Sequence, residues 1–403
     1  MQFSPVRLRA VRQAGIAVAV IAASSAHAAD KPAWTVSGFG TVGAVHSDYR
    51  QADFAASILK ANGAGATRAT SMDVDSRLGV QLDVEQGKWS AVLQLVSEQG
   101  ADNNYSPIVE WGNVKYQATP DLALRIGRIA LPMFLAADYR KIGYAYPWVR
   151  PPVEMYGTIP ITNSDGIDVN YRWSHGDIKH ATQVFYGTTE ARYDEQVNAQ
   201  ARALVGFAHT IQHGALTARL SALSADLSLS LARPLFDAYR QFGPAGAAIA
   251  EQYDVDAKGA RAVSIGVSYD PGRWFATGEI GRLDTNSYAG DKTSFYLSAG
   301  YRAGSVTAFS TFARAKPNMP TRVAGLALDG LPPQQAAVGA ALNHKLNDLL
   351  RYTPSQTTVG AGLRWDARDN VSLTLQHERL TTRDNSYGTL IRVQPGFESG
   401  RAV

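Results

Sequence analysis

The chain has 403 residues, no cysteine, and 39 Lys and Arg against 35 Asp and Glu, a formal charge of +4. The lack of cysteine excludes thiol catalysis, cysteine-metal centres and disulfide staples. The excess of positive charge lies mostly in the first dozen residues, so it makes no case for a nucleic-acid partner.

Those residues read as a leader. Arg7, Arg9 and Arg12 give a basic start, AGIAVAVIAA follows, and Ala26-His27-Ala28 is an A-x-A cleavage site. A Sec-type signal peptide over 1–28 is expected, leaving 29–403 as a single domain. Cleavage removes three arginines and no acid, so 36 basic residues then face 35 acidic ones, a net charge of about +1. The apolar run is too short to span a bilayer as a helix, and no later segment supplies the ~20 apolar residues required.

The next stretch, WTVSGFGTVGAVHSD (34–48), spells G-x-G-x-x-G with Gly38, Gly40 and Gly43. That pattern cradles a phosphate only between a strand and a helix. No helical period follows Gly43, and HSDYRQADFAAS reads as a loop. The glycines are better read as small residues of a first strand, where neighbouring backbone comes close.

From here apolar and polar or small residues alternate over segment after segment of 9 to 12 positions, the length and period of a tilted membrane-spanning strand. The expected strands cover 34–46, 73–85, 89–99, 107–118, 122–129, 165–174, 178–187, 203–211, 215–225, 261–269, 274–284, 292–301, 305–315, 356–365 and 371–383. In the clearest, Ile167, Val169, Tyr171 and Trp173 point one way and Asp168, Asn170, Arg172 and Ser174 the other. A soluble sandwich would alternate in the same way. The connections decide between the two, because short turns such as Gln86-Gly87-Lys88, His175-Gly176-Asp177 and Arg302-Ala303-Gly304 alternate with long loops at 47–72, 130–164, 226–260 and 316–355. This predicts an all-β fold, a transmembrane antiparallel β-barrel of about 16 strands, 15 of them readable, with short periplasmic turns and long extracellular loops. Trp34, Trp89, Trp111, Trp173, Trp274 and Trp365 fall in or at the ends of strands, where an interfacial girdle sits.

If the apolar set meets lipid, Gln81, Asp83, Gln94, Asn113, Lys115, Arg125, Asp168, Asn170, Arg172, Arg219, Glu279 and Arg364 face the lumen. Arg or Lys in the lipid midplane costs ~2–4 kcal/mol, which favours that placement.

With its leader, its strand count and the segments VSGFGTVG, LRIGRIALP (124–132) and the long third loop (133–160), the chain resembles the Gram-negative general porins. The resemblance implies a third outer loop, about 130–164, folded into the lumen, with carboxylates facing basic residues on the opposite wall. Asp138 and Glu154 are then candidate loop acids, and Arg125 and Arg172 candidate wall charges. Lys115, Asp168, Arg219, Glu279 and Arg364 complete the pore-lining candidates. The family's P-E-F-G-G loop motif is replaced here by Pro132-Met133-Phe134. The resemblance further implies a water-filled outer-membrane channel for passive diffusion of small hydrophilic solutes and ions. It implies a homotrimer inserted by the barrel assembly machinery among lipid and lipopolysaccharide, with no cofactor, metal or enzymatic activity. Two alternatives stand beside it: a substrate-specific channel, for which Tyr139, Tyr144, Tyr146, Trp148 and Tyr156 in the third loop would stack solutes, and a barrel enzyme or surface-binding protein.

The C-terminus departs from the family. Porins close on a strand with a terminal aromatic residue, whereas this chain finishes VQPGFESGRAV. Fifteen strands from a periplasmic start leave 384–403 outside, although bacterial barrels are even-stranded. Either Thr389 to Val393 forms a short sixteenth strand or the closing strand is missing, and the second is the expectation. Elsewhere the chemistry is sparse. No G-x-S-x-G elbow occurs, and His209 and His213 have zinc spacing but sit on a strand and in its turn. GADNNYS (100–106) lacks calcium-loop spacing.

Overall fold

The computed structural model describes residues 31–192 and 198–400; the expected signal peptide lies outside them. Fifteen long strands form one sheet: β1 Ala33–Thr41, β2 Arg77–Gln86, β3 Trp89–Glu98, β4 Ile108–Gln117, β5 Leu122–Ala130, β6 Asn163–His175, β7 Ile178–Arg192, β8 Asn198–His213, β9 Leu216–Leu229, β10 Lys258–Tyr269, β11 Trp274–Asp284, β12 Lys292–Ala303, β13 Val306–Pro317, β14 Gln356–Arg368 and β15 Val371–Thr382. Each pairs with the next in chain order, always antiparallel. All fifteen expected strands are present. The first is shorter than expected: it stops at Thr41, and Val45–His46 pairs instead with Thr70–Ser71.

Burial along the strands is inverted relative to a soluble sandwich. Leu375, Val36, Trp34 and Ile126 are 76%, 72%, 65% and 63% exposed, while Asp168, Gln94, Ser221, Ser264 and Ser298 are buried. A hydrocarbon solvent outside and a polar interior explain both sets, since an apolar band of this extent facing water would be an aggregation surface. Register keeps the order: Gln81 lies opposite Gln94, Arg125 opposite Asp168, and Leu82 opposite Leu93. Trp111 is an exception, because an irregularity in the β3–β4 ladder pairs it with Gln94 on the inner side. The short turns carry left-handed glycines, φ +57° at both Gly87 and Gly176, as tight two-residue hairpins require.

β7, β8 and β9 run for 15, 16 and 14 residues, beyond the 9–11 that cross a bilayer, so their outer ends stand above it. Two of the long connections contain helices where loops were expected: α2 Arg233–Arg240 and α3 Gly243–Tyr253 after β9, and α4 Pro333–Leu350 after β13. They bury Phe236, Tyr239, Leu342, Leu346 and Leu350 against one another, each worth about 1.5–3 kcal/mol by the apolar area removed from water. A fourth helix, the single turn α1 Val153–Tyr156, lies in the third loop.

Between β1 and β15 the sheet stays open, and no ladder joins them among the described residues. Above this seam the first loop and the C-terminal segment are strapped together. Asp53 and Ile391 exchange backbone hydrogen bonds of 2.8 and 3.0 Å, and the Gln394 N–H donates to the Gln51 carbonyl at 2.8 Å. Thr389 to Val393 contributes that single bridge and no strand.

Candidate channel lining

The third loop, which joins β5 to β6, is bonded to inward-facing side chains at several points around the sheet. Glu279 on β11 accepts hydrogen bonds from the Leu135 N–H at 2.8 Å, the Tyr156 hydroxyl at 2.5 Å and the Tyr296 hydroxyl at 2.9 Å. Beside it, a Cβ on Gly266 of β10 would sit 2.5 Å from the Leu135 side chain, so only glycine lets the loop lie this close. The Trp148 indole N–H donates to Ser298 Oγ at 2.8 Å. Burial and the neighbouring Glu279 carboxylate raise the Tyr156 phenol well above its ordinary value, which keeps it a donor.

On the far side α1 is held by Glu154, which accepts from Gln356 Nε2 at 2.5 Å and from the Thr358 hydroxyl. Its burial raises the carboxyl pKa against the lowering effect of those two bonds. Arg150 then crosses the seam. It meets Asp75 through Nε and Nη2 at 2.9 and 2.7 Å and Glu378 through Nη1 at 2.8 Å, and its guanidinium lies over Phe54, 4.8 Å from the ring centre. Burial works against the Arg150 charge, but Asp75 and Glu378 outweigh it and the pKa is raised. Lys141 closes on Glu98, which Lys60 and Arg77 also face.

These contacts redistribute the candidate residues. Glu154 and Glu279 anchor the loop: both are buried, Glu279 accepting from two loop groups and a wall tyrosine, and Glu154 from two wall side chains. Arg364 is also a clamp, donating to the carbonyls of Tyr144 and Tyr146 at 2.9 and 2.6 Å. Arg125 does not face a loop acid. It forms a bidentate pair with Asp168, as short as 2.5 Å, and Asn170 and Gln183 complete the aspartate's bonds. Lys115 lies opposite Arg125 in the β4–β5 register and joins none of these contacts. The loop acid that stands free is Asp138, 60% exposed, and the wall charge nearest it is Arg219 on β9, at 3.9 Å. Arg219 also donates to the Pro132 carbonyl at 3.1 Å, so one side chain both holds the loop's start and faces its acid. Sequence parity placed Arg219 on the inner wall, but nothing in the spacing paired it with Asp138. Arg150 had no sequence signal at all, being one charge in a long loop.

Below the loop lies a cavity of 1160 Å³ lined by Asp138, Arg172, Lys179, Arg219, Thr217 and Asp270, among others. Asp270 is taken up by Arg302 at 2.7 Å. With Asp270 so paired, Arg172, Lys179 and Arg219 share the lining with Asp138 and Asp121, a local excess of positive charge. Among the described residues no group of three His, Asp or Glu is placed to hold a metal. His209 sits on the outward face near Trp173 and His180, in an aromatic cluster beside the short turns.

No family model matches this sequence, and no curated protein matches it. Solved structures do. The chain is similar to the anion-selective porin from Comamonas acidovorans, with 13% identity, a TM-score of 0.51, and 92% of this chain and 96% of that one covered. The outer-membrane channel DcaP of Acinetobacter baumannii is similar at 9% identity and a TM-score of 0.53, covering 92% and 93%. Salmonella typhi OmpF, in complex with daunomycin, gives 10% identity and a TM-score of 0.50 over 89% and 93%. The chain has the porin fold. At these identities the likeness concerns architecture, and the loop anchors above belong to this chain's own sequence.

Proposed function

We propose that the protein is an outer-membrane channel of porin type, exported by a cleaved leader, through which small hydrophilic solutes and ions diffuse passively. The observation that carries this reading is the third loop, held across an inner face lined with charge and ending in the Asp138–Arg219 pair above a polar cavity. There an exposed acid, Asp138, stands 3.9 Å from a largely covered wall cation, Arg219, which supports a charged narrowing of the passage. The surplus of Arg172, Lys179 and Arg219 favours anions entering from below. A homotrimer among outer-membrane lipid is the natural assembly for such a wall. The Comamonas relative's description as anion-selective is in keeping with the charge surplus.

Reconstitution into planar bilayers tests the reading. Stepwise ohmic currents with a reversal potential shifted toward the anion in a KCl gradient are expected. A protein that inserts and stays silent would sink it.

A further inference from the structure

The upper part of the inner wall at β9 is apolar, unlike the charged lining beside the start of the third loop. On β9 the inward positions are Thr217, Arg219 and Ser221 low in the wall, then Leu223, Leu227 and Leu229 above, while Asp226 and Ser228 point outward. The alternation continues but the chemistry has changed sides. Above the bilayer the outer face meets water, which accounts for the outward polar residues; the inward leucines need another reason.

They line a second cavity of 840 Å³, enclosed by the outer strand ends, the third loop and helices α2 and α4, with Leu204, Leu283, Leu235 and Leu349 completing its apolar wall. This volume is in the range of ligand sites. One buried charged group is built into it. Lys292, the first residue of β12, lines the cavity and is only 8% exposed, and among the described residues its ammonium makes no hydrogen bond or ion pair, feeling only the more distant charge of Asp291. The adjacent Asp291 is occupied elsewhere, accepting from the N–H groups of Thr285 and Asn286 at 2.6 and 2.9 Å. Lys345 and Arg392 also line the cavity. The Arg392 Nε donates to the Ala61 carbonyl at 2.8 Å. The acid of the lining, Asp348, accepts from Tyr387 at 2.6 Å and faces Arg351.

We infer that this outer cavity is a binding site for an organic monocarboxylate with an apolar body, its carboxylate on Lys292 and its chain along the leucines. A buried cation without a hydrogen bond or close ion pair is costly, and an anion that brings its own apolar surface removes the cost while filling the wall. Lys345 and Arg392 are exposed, so the single buried ammonium of Lys292 matches one negative charge among the leucines. The site stands apart from the Asp138–Arg219 passage, so it does not depend on the channel reading.

Calorimetry on the protein in lipid nanodiscs, with empty nanodiscs as baseline, tests this. Octanoate, 1-octanol, octyltrimethylammonium and succinate are the probes. Octanoate is expected to bind at least tenfold tighter than the other three. Lys292→Met should remove that preference, weakening octanoate about tenfold and leaving 1-octanol unchanged. A double variant, Leu227→Gln with Leu283→Gln, should weaken both octanoate and 1-octanol. Equal binding of octanoate and succinate, or unchanged octanoate binding by the folded Lys292→Met variant, overturns the proposal. Should that variant fail to fold, the probe series on the unaltered protein decides.

Discussion

Replacing Glu279 by alanine removes the acceptor for three donors at once: the Leu135 N–H and the hydroxyls of Tyr156 and Tyr296. A buried donor left without a partner costs about 1–3 kcal/mol. Part of that total returns, because a buried carboxylate no longer has to be desolvated, although the Tyr156 hydroxyl, which still accepts from the Ala136 N–H at 3.1 Å, loses the acceptor for its proton. A net loss of about 3 kcal/mol in loop docking remains, enough to raise the undocked population roughly a hundredfold. The ladders of the sheet are untouched, so Glu279→Ala should fold and insert. Single-channel recording should show a larger mean conductance with added flicker, and Glu279→Gln, which retains one acceptor oxygen, should fall between. Refutation is simple to recognise: an inserted Glu279→Ala protein whose conductance and noise match the parent would mean that the loop is not what narrows the passage.

Arg219→Glu reverses the wall charge beside Asp138, and the reversal potential in a KCl gradient should move toward the cation; an unmoved potential would place the selectivity elsewhere. Arg150→Met leaves Asp75 and Glu378 facing each other across the seam. Breaking a buried pair of this kind costs about 3–5 kcal/mol, so the heat-modifiable migration of the folded form should be lost at a clearly lower temperature, with Arg150→Lys intermediate. Glu154 has its pKa raised by burial, so the folded state binds a proton more tightly than the unfolded one. Stability is then fully present below the ordinary glutamate value and declines as pH rises through the raised value. Channel noise should accordingly fall as pH drops through that window. Glu154→Gln should be quiet across it, and a Gln variant with the parent's pH dependence would exclude this carboxyl as the cause.

The strand periodicity and the alternation of short and long connections specified the antiparallel sheet and all fifteen of its strands, because a period of two bounded by tight turns reads directly from local residue order. Inner-wall parity was equally local, and in the structure Arg125 pairs with Asp168 while Arg219 reaches the Pro132 carbonyl at the loop's start. Partnership was not local. Asp138 and Arg219 are 81 positions apart, and whether a carboxylate stands in water or is buried under a tyrosine depends on how the third loop lies against β9, β11 and β14. That is why Glu154 and Glu279 read as passage acids in sequence and are anchors in space. The helices α2 to α4 were illegible for a related reason: each is short or small-residue-rich, and they pack on one another across segments far apart in the chain. The apolar upper wall came from the same source. The sequence shows leucines and serines exchanging on the two sides of β9, but only the stacking of loops above the bilayer decides that the leucines line a cavity and that Lys292 stands in it without a hydrogen bond or ion pair.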